Sequence, residues 1–115
     1  PIINLSLGPV SMWETAPYSE NALVVQANID CHPCSFSYEC PHWNCHKAIK
    51  QETILNLIHH HFYPANNSVI DQNVLIWKSI TDHNGFLHWA PLHKRIITFK
   101  ELFFDLKCSI WLFDL

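Results

Sequence analysis

Four cysteines, Cys31, Cys34, Cys40 and Cys45, fall within one fifteen-residue stretch that reads Cys-His-Pro-Cys-Ser-Phe-Ser-Tyr-Glu-Cys-Pro-His-Trp-Asn-Cys. They lie in a segment, residues 28 to 46, that separates an apolar run from a helical pattern. A connection of that length inside a compact domain is either stapled or functional, because an ordinary link between elements is much shorter. Whatever fold the chain takes must accommodate this loop.

The spacing is C-x2-C-x5-C-x4-C. A C-x2-C pair makes a good zinc half-site, whereas the second pair is less regular than in common zinc ribbons. His32, His42 and His46 are available as substitute ligands. Three readings stay open: a structural zinc held by Cys31, Cys34, Cys40 and Cys45, one or two disulfides, or packed thiols. The fifth cysteine, Cys108, makes the total odd, so not all can pair within the chain. It is expected to pack in the core. A cytosolic, reducing setting is the default, and there a close cysteine cluster means metal or packed thiols more often than crosslinks. A catalytic thiol needs a neighbouring base. Pro33 and Pro41 stiffen the loop and favour a structural role over a nucleophilic one.

The remaining composition narrows the class. The 115 residues are 49% hydrophobic and 15% charged, which suits one folded domain with a modest core. Seven Lys and Arg against ten Asp and Glu make a poor surface for a nucleic-acid backbone. These 115 residues show no signal-peptide pattern and no apolar run of about 18 residues. The expected location is therefore cytoplasmic, at most peripheral on the inner face of a membrane. The chain opens on Pro1 and runs at once into Ile2-Ile3-Asn4-Leu5-Ser6-Leu7. A start inside a strand predicts a piece of something longer. Only two glycines, Gly8 and Gly85, are present.

Periodicity predicts a buried strand at 2–7, a loop at 8–21 and a second strand at 22–27. A helix follows over about 50–62. Its predicted apolar stripe is Ile54, Leu55, Ile58 and Phe62, widened by Leu57. Glu52 suits the positive start of that helix, His59 to His61 suit its end, and Pro64 stops it. Three consecutive helical histidines point about 100° apart, so they cannot share one ion. Val74 to Trp77 reads as a strand. Asn84-Gly85 predicts a tight hairpin with positive φ at both central residues, and 86–89 the returning strand. Thr98 to Glu101 has capping-box spacing and opens a last helix. Phe99, Leu102, Phe103, Leu106, Ile110 and Phe113 share one face of it, and further apolar residues ask for cover elsewhere, from another domain or a second copy of the chain. Lys94 and Arg95 form the only adjacent basic pair, expected on a solvated surface.

The order of these features is specific. An apolar strand leads to Gly8-Pro9-Val10-Ser11-Met12-Trp13, then Ala16-Pro17-Tyr18-Ser19, a valine-containing strand, Cys-x-Pro-Cys, two more cysteines and a helix. This resembles the C-terminal part of glycosyltransferase family 9, the lipopolysaccharide heptosyltransferase family, over residues 1 to about 63. Members typically carry Gly-Pro-Thr followed by Gly-Pro-Tyr-Gly. Val10 replaces the usual Thr here, and Ala16 and Ser19 replace two glycines. The resemblance implies an α/β fold, part of a Rossmann-like C-terminal domain of a GT-B enzyme. It divides the chain into a donor-binding part, 1–63, and a C-terminal extension of hairpin and helix, 64–115. It implies a nucleotide-sugar site at Gly8, Pro9, Val10, Ser11, Trp13, Pro17 and Tyr18, at the carboxyl end of a strand. The implied reaction moves a heptose-like sugar from a nucleotide-sugar donor to a lipopolysaccharide-type acceptor without a metal. The acceptor side belongs to the N-terminal domain of the same enzyme. The family's Asp-Thr/Ser-Gly donor segment and its acidic base do not occur in these residues, so the chain alone is expected to be inactive. Two competing readings remain: a small cysteine-stabilised protein-binding module, perhaps with zinc, and a non-catalytic remnant of the family.

Overall fold

The computed structural model describes residues 1–34, 39–62 and 71–92. The expectations for Cys108, for Lys94 and Arg95, for the stop at Pro64 and for the last helix fall outside these residues. The chain order is β1 (Ile3–Ser6), α1 (Met12–Thr15), β2 (Leu23–Ala27), α2 (Asn44–Ala48), α3 (Gln51–Phe62), β3 (Val74–Thr81) and β4 (Leu87–Pro91). The four strands form one mixed sheet in the order β1-β2-β3-β4. Strand β1 runs parallel to β2, with Ile3 opposite Leu23 and Ser6 opposite Gln26. The pairs β2–β3 and β3–β4 are antiparallel. The fold is thus a small α/β domain, and the hairpin β3–β4 is built into the same sheet as β1 and β2.

Strand β2 is apolar at almost every position because both its faces are covered. Leu23 and Val25 point to one side, where they pack with Val74, Ile76 and Leu57 of α3. Val24 points to the other, where it meets Met12 of α1 and Trp77. The alternation of side chains along a strand assigns these residues to opposite layers. Strand β3 follows the same rule, with Ile76 on the α3 side and Trp77 on the α1 side.

Helix α3 buries one edge of the apolar stripe its spacing predicts, Ile54 and Leu57, and leaves Leu55 and Ile58 exposed, while the Phe62 side chain lies outside the described ones. Leu57 is 1% exposed and Thr53 6%, whereas Leu55 is 56% and Ile58 40% exposed. Thr53 and Leu57 are four residues apart, and half-buried Ile54 sits beside them. Leu55 lies about 200° round the helix from Thr53. The face is chosen by fit to Leu23, Val25 and Ile76, not by the largest number of apolar residues.

Segment 8–21 contains a short helix, α1, where the sequence suggested only a loop. Ser11-Met12-Trp13-Glu14 has the spacing of a capping box. The Ser11 side chain makes no cap bond, but its carbonyl accepts from the N–H groups of Glu14 and Thr15 at 3.1 and 3.2 Å. One turn is enough to drop Met12 onto Val24.

The β3–β4 turn also differs from expectation. Asp82 N–H donates to the Phe86 carbonyl at 2.9 Å and Gly85 N–H to the Asp82 carbonyl at 3.0 Å. This is a three-residue loop in which Gly85 alone takes positive φ, +85°. Such loops place glycine at the single left-handed position and need none before it. Asp82 replaces the second constraint. Its Oδ1 accepts from the N–H of Asn84 at 2.8 Å and of Phe86 at 2.9 Å, and His88 Nε2 lies 2.9 Å from Oδ2. The His88 contact first, then these backbone donors, hold the Asp82 carboxyl below its ordinary range.

Ser79, fully buried, fastens the start of β2 to β3. Its hydroxyl accepts from Ala22 N–H at 2.8 Å and donates to the Ser19 carbonyl at 2.6 Å. Removing the oxygen leaves two backbone groups without this partner, at about 1–3 kcal/mol. Ser79→Ala is therefore expected to lower unfolding free energy by about 2 kcal/mol in denaturant titration, and a change below about 0.5 kcal/mol would contradict that role. Leu57→Ala should cost about 2–5 kcal/mol and Leu55→Ala less than about 1 in the same assay. Equal losses would mean that α3 packs on its sequence-predicted stripe.

Candidate functional site

Because β1 and β2 are parallel, their carboxyl ends lie side by side, and the loops that leave them start as neighbours. The loop after β1 begins with Gly8-Pro9, and the loop after β2 leads to Cys31. A hydrogen bond from Cys34 N–H to the Gly8 carbonyl, 3.1 Å, joins the two. Gly8 has φ +60°, while a Cβ there would meet nothing within 4 Å. Glycine is thus required by the backbone turn and not by crowding.

These loops and α2 enclose a cavity of about 470 Å³. Gly8 and Pro9 form one wall, and all four clustered cysteines with His32, His42 and His46 contribute to the rest. Glu39, Trp43 and Asn44 complete it. The two groups of residues that the sequence offered separately, the Gly-Pro corner and the cysteine loop, therefore share one cavity.

The other residues of the sequence-based nucleotide-sugar set stand elsewhere. Val10 and Ser11 continue the turn into α1, where the Val10 carbonyl accepts from Ser6 Oγ at 2.6 Å. Trp13 packs edge-to-face on Trp77, with ring centroids 5.2 Å apart, beside the Met12–Val24 core. Pro17 is half-buried, and its carbonyl accepts from Ser19 N–H at 2.9 Å. Tyr18 is 58% exposed. None of these five lines the cavity.

Trp43 was not foreseen. It takes positive φ, 55°, just before α2, and is 58% exposed at the cavity rim. Its ring meets His46 edge-on at a centroid distance of 5.2 Å. Its N–H donates to Cys40 Sγ at 3.3 Å, and Cys40 Sγ lies 3.6 Å from His42 Nδ1. The signal available in the sequence was an aromatic residue between two cysteines in a polar loop, which periodicity does not weigh.

All four cysteines are free thiols, with Cys31 exposed, Cys34 and Cys40 half-buried and Cys45 buried. Among the described residues, no group of three or more His, Cys, Asp and Glu side chains is arranged to hold a metal ion. No described helix is long and apolar enough to cross a membrane.

His32 is the titratable group most altered by its place in the site. Both ring nitrogens are shielded from solvent and neither makes an aligned hydrogen bond. Burial lowers its pKa from the ordinary 6.5, and the nearby Gly8 backbone opposes this only in part. Comparison of the chain with protein-family models, with curated proteins and with solved structures returns no match.

The His32 shift has a defined sign. A ring that the fold keeps neutral leaves the unfolded chain binding more protons below about pH 6.5. Its contribution is fully present above that pH and is lost as pH falls from 6.5 toward the folded value. In an NMR titration the His32 ring is expected to titrate below 6.5. His32→Phe should flatten the loss of stability between about pH 7 and about pH 5. A midpoint at or above 6.5 would show that the ring is not held neutral.

Proposed function

We propose that the chain is part of the donor-side domain of a GT-B glycosyltransferase of family 9. Such an enzyme passes a heptose-like sugar from a nucleotide-sugar donor to a lipopolysaccharide-type acceptor. The observation that carries this reading is the Gly8-Pro9 corner beyond the carboxyl end of a parallel strand, opening onto a cavity of about 470 Å³. Ligands of α/β sheets gather at that end of the strands, where loops diverge and backbone N–H groups are free to meet phosphate.

In this reading the chain binds and orients, and the reacting base comes from the N-terminal domain. A donor diphosphate needs hydrogen-bond donors fixed where charge builds on the leaving group. Asn44, His42 and His46 offer such donors on the cavity wall. Gly8 keeps the wall low enough for close approach, since any β-branched side chain is strained at its φ of +60°. The half-buried Trp13 packs on Trp77 and does not line the cavity.

Titration of the chain with ADP and with UDP, followed by amide NMR, tests the reading. Shifts at Gly8, Asn44 and His46 with a Kd in the range of about 0.1–5 mM are expected, together with their loss in a folded Gly8→Val variant. No shift with either nucleotide at about 10 mM would overturn it.

A further inference from the structure

Among the described residues that line the cavity, Trp43 is the one large apolar side chain. Folding does not bury it, since it stays 58% exposed at the rim. Its backbone is left-handed, φ +55°, a conformation that glycine or asparagine takes readily and a bulky residue does not. A smaller residue would therefore serve this turn better, and the indole recovers nothing for the fold by burial. Yet its position is well fixed. Its N–H donates to Cys40 Sγ at 3.3 Å, and its carbonyl accepts from the N–H groups of His46 and Lys47 at 3.1 and 3.2 Å. The His46 imidazole meets the ring edge-on at 5.2 Å. An exposed aromatic plane held at a cavity mouth is already ordered for a ligand, so binding there costs little further side-chain entropy.

We infer that Trp43 is the platform on which the nucleobase of the bound nucleotide stacks. The inference rests on the donor-side reading above and adds to it the residue that meets the base. A nucleotide sugar has three kinds of surface: an anionic diphosphate, puckered sugar rings and one flat aromatic base. The diphosphate calls for N–H donors and close backbone approach, which the Gly8 corner and Asn44 offer. The base is the part whose flat apolar faces match an indole in shape and area. Stacking of this kind is tolerant of base identity, because every base has a π-face. Trp43 thus contributes affinity for any nucleotide, with a larger share for a purine than for a pyrimidine.

The test titrates the full chain with ADP, UDP and pyrophosphate and follows amide and indole N–H resonances by NMR. The Trp43 indole signal, assigned by its loss in Trp43→Phe, is expected to move upfield with ADP and UDP and to stay in place with pyrophosphate. Nuclear Overhauser effects should link adenine H2 or H8 to the Trp43 ring in the unaltered chain, a readout that needs no variant to fold. Folded Trp43→Ala should weaken ADP about tenfold and UDP about fivefold, with pyrophosphate changed less than about twofold. Trp43→Phe should hold ADP within about threefold. ADP shifts at Gly8 and Asn44 with no base contact to Trp43, or equal weakening of ADP and pyrophosphate by Trp43→Ala, would overturn the inference and leave the donor-side reading standing. Absence of binding by both nucleotides would overturn the two together.

Discussion

The structure depends on a strand that must be dry on both sides. Leu23, Val24 and Val25 are each 3% exposed or less, so β2 can only be an inner strand with a layer against each face. That condition calls α3 to one side and α1 to the other, and requires neighbours along both edges. Strand β1 takes one edge and β3 the other. Trp77, opposite Val24 in the ladder, then becomes the largest fully buried side chain and anchors Met12 and Trp13. The short helix α1 exists for this purpose: one turn closed on the Ser11 carbonyl suffices to carry Met12 over the sheet.

The cavity follows from the direction of one edge. Had β1 run antiparallel to β2, its Gly8-Pro9 corner would lie at the opposite end of the sheet from the cysteine loop. The parallel register, Ser6 opposite Gln26, sets the two exits side by side instead. The loop after β2 is long, yet its beginning is pinned at Gly8 by the Cys34 N–H. Its far end is fixed by Cys45, which is buried in α2. Between these points, Glu39, Cys40, His42, Trp43 and Asn44 line the cavity.

Much of this was legible in the sequence wherever a local rule decides the outcome. Strands 22–27 and 74–77 announced themselves through dense branched residues, and the helix at 50–62 through its length and period. The failures share a cause, which is that partners far along the chain did the choosing. Leu55 and Ile58 match the helical stripe as well as Leu57 does, and only the shape of the β2–β3 face prefers Thr53 and Leu57. Asn84-Gly85 carries the strongest dipeptide signal for a tight turn, but the Asp82 carboxylate, bonded to two N–H groups, widens it to three residues. Trp13 looked suited to a pocket by its place after Gly-Pro, and Trp77 drew it into packing instead. The exposed indole at the cavity belongs to Trp43, which no periodic pattern singles out.

The Gly-Pro corner and the thiol cluster are not independent features that happen to be close. They share the bond from Cys34 N–H to the Gly8 carbonyl, and His32, shielded beside Gly8, lies between Cys31 and Cys34 in sequence. Gly8 sits at a φ that only glycine adopts easily, so this turn has little side-chain packing of its own to hold it. Its carbonyl direction is set largely by what donates to it. A displacement of Cys34 would therefore reach the Gly8 wall through that backbone hydrogen bond.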